Sequence, residues 1–296
     1  MKVHLVSARW SNYPWGFGND VYDALVDLGI EVIDTDYRLE RARLPELLQQ
    51  PCDLVLVLKG EGIPPALVYS APGRAVLWYP DDLIATGHGC VHIGQNGWAF
   101  DTVYGISKWD LDEYRKLNCQ DVRWLPLACN PKVHQKLGLE KRYDISFVGS
   151  LYPERKALLE RLSTQFNVYY ESAFGEAMVR IFNESKIVLN LPVGGVTSGN
   201  LPHRVFEALA CGSLLFTNDV PGLAELFTDR EHLVCYDVGT ALGELLAYYL
   251  EHEDERETIA KAGRKEVLDK HTVRHRVERI LVESSLTNKG GQNDTQ

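Results

Sequence analysis

The sequence predicts an α/β protein made of two successive βα domains, each built on a parallel sheet, and two observations carry that prediction. Apolar runs of strand length recur with helical stretches between them, the habit of parallel strands covered on both faces. The pattern loosens once, in the polar stretch Lys132–Arg142, and then resumes. A chain of 296 residues with 45% hydrophobic and 24% charged content is long enough for two domains of ordinary size.

In the first domain, residues 1–131, strands are expected at Val3–Ser7, Glu31–Asp34, Leu54–Leu58, Ala75–Tyr79, Thr102–Gly105 and Val122–Leu125, with helices at Asn19–Leu28 and Trp109–Leu117. Residues 132–142 read as a linker. The second domain, 142–270, carries strands at Asp144–Val148, Asn167–Tyr170, Ile187–Leu191, Ser213–Thr217 and His232–Tyr236. Helices fill Glu154–Gln165, Glu176–Glu184, Pro202–Cys211 and Leu223–Leu226, and helical periodicity dominates from Thr240 through Glu283. The last helix is expected at 271–286, before a tail, 287–296, with the composition of disorder. Two such domains create a cleft at the carboxyl ends of both sheets, where α/β folds bind ligands.

Charge and cysteine usage narrow the function classes. The chain carries 31 basic and 41 acidic side chains, a net charge of −10, and both halves are acidic. A phosphate-tracking surface shows as a basic excess, so nucleic acid is not an expected partner. Six scattered cysteines without a CxxC pair fit reduced thiols in a cytoplasmic protein. The opening MKVHLVSARW reads as a first strand rather than a leader peptide, and no apolar run reaches the roughly 18 residues of a membrane span. His88 and His92 are four apart, but the glycines around them argue against a helix and against a metal site.

The most informative stretch is Asn200–Asn218, a short helix feeding a buried strand. Pro202 suits its first turn and Gly212 its left-handed end, and Arg204 and Glu207 stand among apolar neighbours. Its N-terminus, with His203 and Arg204, attracts phosphate, and Glu207 is placed to accept hydrogen bonds from a vicinal diol such as a ribose. The alternative is an internal Arg204–Glu207 pair at i,i+3. Upstream, Gly149 and Ser150 connect a strand to a helix opening near Pro153, where free amides and Arg155 or Lys156 offer a phosphate site. The loop Leu191–Asn200 holds Gly194, Gly195 and Gly199 with Thr197, Ser198 and Asn200, a cradle for phosphate or sugar or simply a surface loop.

In the first domain Asp81 and Asp82 follow a strand directly, as an acceptor-orienting pair, a general base or turn caps. Lys59 follows another strand on the same edge. Tyr13, Trp15 and Gly16 lie in an aromatic strand-to-helix loop able to stack on a sugar; it lacks the GxGxxG dinucleotide fingerprint, so no nicotinamide cofactor is expected.

The words PHRVFEALACGSLLFTND (Pro202–Asp219), DISFVGSLYPERK (Asp144–Lys156) and HTVRHRVERIL (His271–Leu281) resemble, in order, the C-terminal half of CgeB-like glycosyltransferases, a branch of the GT-B superfamily. The resemblance implies two Rossmann-like domains facing across a cleft, with the last helix crossing back to brace the first domain. It also implies a nucleotide-diphosphate-sugar donor in the second domain, no metal or other cofactor, and retention of configuration. It assigns Glu207 to the donor ribose and Arg155 to the leaving diphosphate, and favours a site role for the Asp81–Asp82 doublet. The wider group often has a second glutamate where this sequence has Gly199. That departure leaves an alternative, a nucleotide- or glycan-binding structural protein with a degenerate site. The acceptor, whether glycan, protein, lipid or small molecule, and the oligomeric state are not specified.

Overall fold

The computed structural model describes residues 1–9, 16–86, 88–191, 201–237 and 241–286. It divides into two compact units, Met1–Pro126 with the chain from Val273 onward, and Leu127–Thr272.

The first unit runs β1 (Lys2–Ser7), α1 (Phe17–Asp27), β2 (Glu31–Asp36), α2 (Leu44–Leu47), β3 (Leu54–Leu58), α3 (Pro65–Tyr69), β4 (Arg74–Tyr79), α4 (Leu83–Thr86), α5 (His88–Asn96), β5 (Thr102–Gly105), α6 (Leu111–Lys116) and β6 (Val122–Trp124). Its strands form one parallel sheet in the order β2-β1-β3-β4-β5-β6. β3 reads LVLVL and is buried at every position, as a central strand covered on both faces must be. The order reverses between β1 and β3, so this unit's crevice for a ligand lies at their carboxyl ends.

The segment 88–96 is helical, against the sequence expectation, because packing outweighs glycine's low helix propensity. A Cβ on Gly89 would come within 3.0 Å of the Tyr79 hydroxyl, and one on Gly97, just past the helix, within 2.5 Å of Cys119 Sγ. Glycine is what lets α5 lie this close to its neighbours.

The second unit contains β7 (Tyr143–Val148), α7 (Pro153–Leu162), β8 (Val168–Glu171), α8 (Gly175–Asn183), β9 (Ser185–Leu189), α9 (His203–Cys211), β10 (Leu214–Asn218), β11 (Val234–Tyr236), α10 (Leu242–Glu251) and α11 (Glu253–Lys270). Its parallel sheet has the order β11-β10-β9-β7-β8, with the reversal between β7 and β9. Gly212 ends α9 at φ 79°, the left-handed conformation expected of it. The expected helix at 223–226 is a single 3₁₀ turn, Leu223–Glu225.

The polar segment expected as a linker is instead fastened to the second unit. Leu137 N–H donates to Asn183 Oδ1 at 2.6 Å, Asn183 Nδ2 donates to the Gln135 carbonyl at 2.8 Å, and Lys141 Nζ donates to the Ser185 carbonyl at 2.7 Å. Backbone groups of Gln135 and Leu137 hold it to α8 and the Lys141 side chain holds it to β9, while most of its polar side chains stay exposed. At the other end, α12 (Val273–Leu286) joins the first unit. Tyr104 Oη and Arg123 Nη1 each donate to Glu283 Oε2 at 2.7 Å, and Arg276 Nε donates to the Pro126 carbonyl at 2.9 Å.

Candidate functional site

The reversal point of the second sheet is occupied by Arg204. It sits in the first turn of α9, whose N-cap residue Pro202 is extended at φ −68°, ψ 163° and so turns the chain into the helix. From there Arg204 Nε donates to the Val148 carbonyl at the end of β7, and Nη1 donates to Asn190 Oδ1, just past β9, at 2.8 Å. One guanidinium thus spans the two strands between which the order reverses. Asn190 is fixed in turn: its Nδ2 donates to Thr217 Oγ1 at 3.0 Å and its carbonyl accepts from Tyr236 Oη at 2.6 Å. Gly149 makes room for this arrangement, since a Cβ there would lie 2.2 Å from Arg204 Nη2.

Arg155 enters the same place from α7. Its Nη1 donates to the Ser150 carbonyl at 2.9 Å, and its guanidinium lies over the rings of Phe147 and Tyr152 at 5.3 and 5.2 Å. Arg204 lies over the Phe147 ring too, at 4.7 Å. Burial lowers the pKa of both guanidinium groups, that of Arg204 to about 10, with the like charge of Arg155 adding to the effect. Among the described residues, buried Arg155 Nε has no hydrogen-bond partner. Two desolvated, mutually repelling cations, with the Arg155 Nε donor unspent, favour an anion against them.

Glu207, one turn along α9, faces elsewhere. Its Oε1 is 3.5 Å from His134 Nε2, and both side chains are largely buried. Burial lowers the His134 pKa to about 4, with the charge of His203 a further cause, so the ring is neutral at pH 7. The two charges of the helix therefore have separate surroundings: Arg204 binds the sheet edge, and Glu207 lies beside a neutral imidazole.

At the carboxyl edge of the first sheet, Lys59 Nζ lies 2.6 Å from Asp81 Oδ2 and 3.7 Å from Glu61 Oε2. Tyr79 Oη donates to Glu61 Oε1 at 3.0 Å. Lys59 has φ 63° and Gly60 φ 72°, two successive left-handed residues directly after β3. For a lysine that conformation is strained, the kind of cost found where a side chain must be aimed. His92 Nδ1 accepts from Asn96 Nδ2 at 2.9 Å, which leaves its Nε2–H to hold the Lys59 carbonyl at 3.1 Å. Asp81 is half-exposed at this edge. Asp82 is buried, and its Oδ1 caps α4 by accepting from Ile84 N–H at 3.0 Å. Asp110 supports the same helix by accepting from Leu83 N–H at 2.9 Å, and burial pushes its pKa up to about 7.

Of the residues expected at a site, Gly149, Ser150, Arg155 and Arg204 come together, and His203 and Glu207 extend the group along α9. Lys156 does not join them: it is exposed and pairs with Glu160 Oε1 at 3.7 Å. Gly16 is the N-cap of α1. Tyr13, Trp15, Gly195, Thr197, Ser198, Gly199 and Asn200 lie outside the described residues. Two further residues of the site carry no signal in the sequence: Asn190 is hidden in an apolar run, and His134 in the segment expected as a linker. Among the described residues no group of three or more His, Cys, Asp or Glu side chains is placed to hold a metal ion.

The model of a glycosyl transferase-like family matches residues 132–282, half of the chain. The chain belongs to that glycosyl transferase-like family. Its fold is that of the GT-B glycosyltransferases, with two parallel α/β sheets. Sucrose-phosphate synthase from Thermosynechococcus elongatus is similar at a TM-score of 0.68 and 13% identity, over 96% of this chain and 98% of that one. HepE of Anabaena, solved with UDP and glucose, is similar at 0.69 and 12% identity, over 96% and 100%. AviGT4, a glycosyltransferase involved in avilamycin A biosynthesis, is similar at 0.62 and 15% identity, over 96% and 97%. An uncharacterized protein of Acanthamoeba polyphaga mimivirus is 33% identical over 67 residues, so the match spans 23% of this chain and 24% of that protein. No described helix of this glycosyl transferase-like protein is long and apolar enough to cross a membrane.

Proposed function

We propose that this protein is a nucleotide-sugar-dependent glycosyltransferase of the CgeB-like branch, metal-independent and retaining, that moves a sugar onto an acceptor hydroxyl. The observation that carries the reading is the pair Arg155 and Arg204 at the reversal point of the second sheet, within the segment matched by the family. In the reaction the bond from the anomeric carbon to the diphosphate oxygen breaks and a bond to the acceptor oxygen forms. Negative charge grows on the leaving diphosphate, and two preorganised, desolvated guanidinium groups stabilise it without a metal. In the retaining course a diphosphate oxygen takes the acceptor proton.

The donor belongs to the second unit, with Glu207 on the ribose and His203 and the α9 N-terminus beside the phosphates. The acceptor belongs to the first unit, where Lys59 and Asp81 bind and orient the hydroxyl; Asp81, rather than the buried Asp82, has access to it. UDP-sugars are the first donors to test, since HepE has been solved with UDP and with UDP-glucose. Six free cysteines support a reducing compartment, the cytoplasm.

A ligand that binds only the folded state raises the melting temperature by mass action. A thermal-shift screen of nucleoside diphosphates and their sugars, on wild type and Glu207→Ala, is expected to show stabilisation by one nucleotide family that the variant loses. No stabilisation by any of them at millimolar concentration would count against the reading.

A further inference from the structure

Residues 130–134 form a turn closed three times over. His134 N–H donates to the Asn130 carbonyl at 2.8 Å, Lys132 N–H donates to Asn130 Oδ1 at 3.0 Å, and Asn130 N–H donates to His134 Nδ1 at 3.1 Å. The last bond fixes the tautomer. A neutral imidazole whose Nδ1 accepts must carry its proton on Nε2, and Nε2 is the atom 3.5 Å from Glu207 Oε1. The turn itself is pinned to α8 through Asn183, which bonds to both Gln135 and Leu137.

The ring is buried, with a side chain only 7% exposed, and burial keeps it uncharged at neutral pH. An imidazolium here would neutralise Glu207, whereas a neutral N–H orients the carboxylate and preserves its charge. A glutamate side chain has three rotatable bonds, and an immobile imidazole N–H 3.5 Å from one carboxylate oxygen favours the rotamers that keep that oxygen beside His134.

We propose that His134 is a positioning residue that holds the Glu207 carboxylate in the orientation that receives the ribose of a nucleotide. The proposal rests on the donor-site reading above. It predicts a defect confined to ligands that carry a nucleoside, because Arg155 and Arg204 are unaltered.

The test is calorimetric titration of UDP, and of inorganic pyrophosphate as the nucleoside-free control. The proteins are wild type, His134→Phe, His134→Gln, Glu207→Gln and the double variant His134→Phe/Glu207→Gln. Glutamine keeps an N–H donor near the place of Nε2, and phenylalanine keeps the ring and loses the donor. His134→Phe is expected to weaken UDP about tenfold, the size of one hydrogen bond to a charged group, with pyrophosphate unchanged. His134→Gln should stay within about threefold of wild type, and His134→Phe should cost nothing further in the Glu207→Gln background. Should His134→Phe fail to fold, ring ¹⁵N shifts of wild type report the same contact: an Nε2-protonated neutral His134 that shifts in Glu207→Gln supports the proposal. A His134 ring unaffected by Glu207→Gln overturns it. So do additive penalties, or wild-type UDP affinity in His134→Phe beside a weakened Glu207→Gln. A wild type that binds no nucleoside diphosphate at all would overturn the donor-site reading itself.

Discussion

Gly149 and Arg204 are in contact so close that a single added methyl group would lie 2.2 Å from the Arg204 Nη2 atom. The glycine is therefore part of the arginine's position. It directly follows β7, its φ of 149° is one that L side chains rarely adopt, and its missing side chain leaves the space through which Arg204 reaches Val148 and Asn190.

Gly149→Ala is expected to displace Arg204 and cost stability at the same time. Backbone strain of this kind amounts to about 1–3 kcal/mol. Chemical denaturation should show a loss in that range, and calorimetry should show nucleoside diphosphate affinity falling at least about tenfold. An unchanged affinity would mean that Arg204 does not touch the ligand.

Asp81 and Asp82 should separate cleanly. Asp82→Ala removes the cap on Ile84 N–H and should cost about 1 kcal/mol in denaturation experiments, by the usual price of a lost cap. Asp81→Asn should leave stability within about 1 kcal/mol, as for a partly exposed ion pair, while initial-rate kinetics show transfer reduced at least about tenfold. The reverse pattern would move the acceptor role to Asp82.

Glu283 should tie α12 to the first unit in a pH-dependent way. Burial raises its pKa, but hydrogen bonds from Arg279, Arg123 and Tyr104 outweigh burial and hold it below the ordinary glutamate value. A depressed carboxyl pKa gives stability that is complete above the unfolded value, near 4.5, and is lost as pH falls through the folded one. Discounted for its partial exposure, the contribution is about 1 kcal/mol. Glu283→Gln should lower the urea midpoint at pH 7 and shrink the gap from wild type below about pH 4.

Much of the fold is legible in the residues because each strand has its own signal. Leu54–Leu58 is apolar throughout, so a buried central strand follows from composition alone. α5 escapes because glycine propensity argues locally, while the contacts of Gly89 and Gly97 with Tyr79 and Cys119 come from elsewhere in the chain. At the site, Arg204 and Arg155 stand out as charges in apolar or glycine-marked contexts. His134 and Asn190 do not, since a polar residue beside others, or after a strand, looks alike whether it faces water or a buried carboxylate. The separation of Arg204 from Glu207 was equally unreadable, because i,i+3 spacing permits a pair and only the bonds of Arg204 to Val148 and Asn190 draw it away.

The most direct measurement is release of nucleoside diphosphate from a panel of nucleotide sugars in a chelator-containing buffer, with and without candidate acceptors, on wild type beside Arg155→Leu. Turnover of one nucleotide-sugar family by wild type without added metal is expected, reduced about 100-fold or more in the variant. Tight nucleotide binding with no turnover of any donor, by hydrolysis or transfer, would contradict it and leave a binding protein on a glycosyltransferase fold.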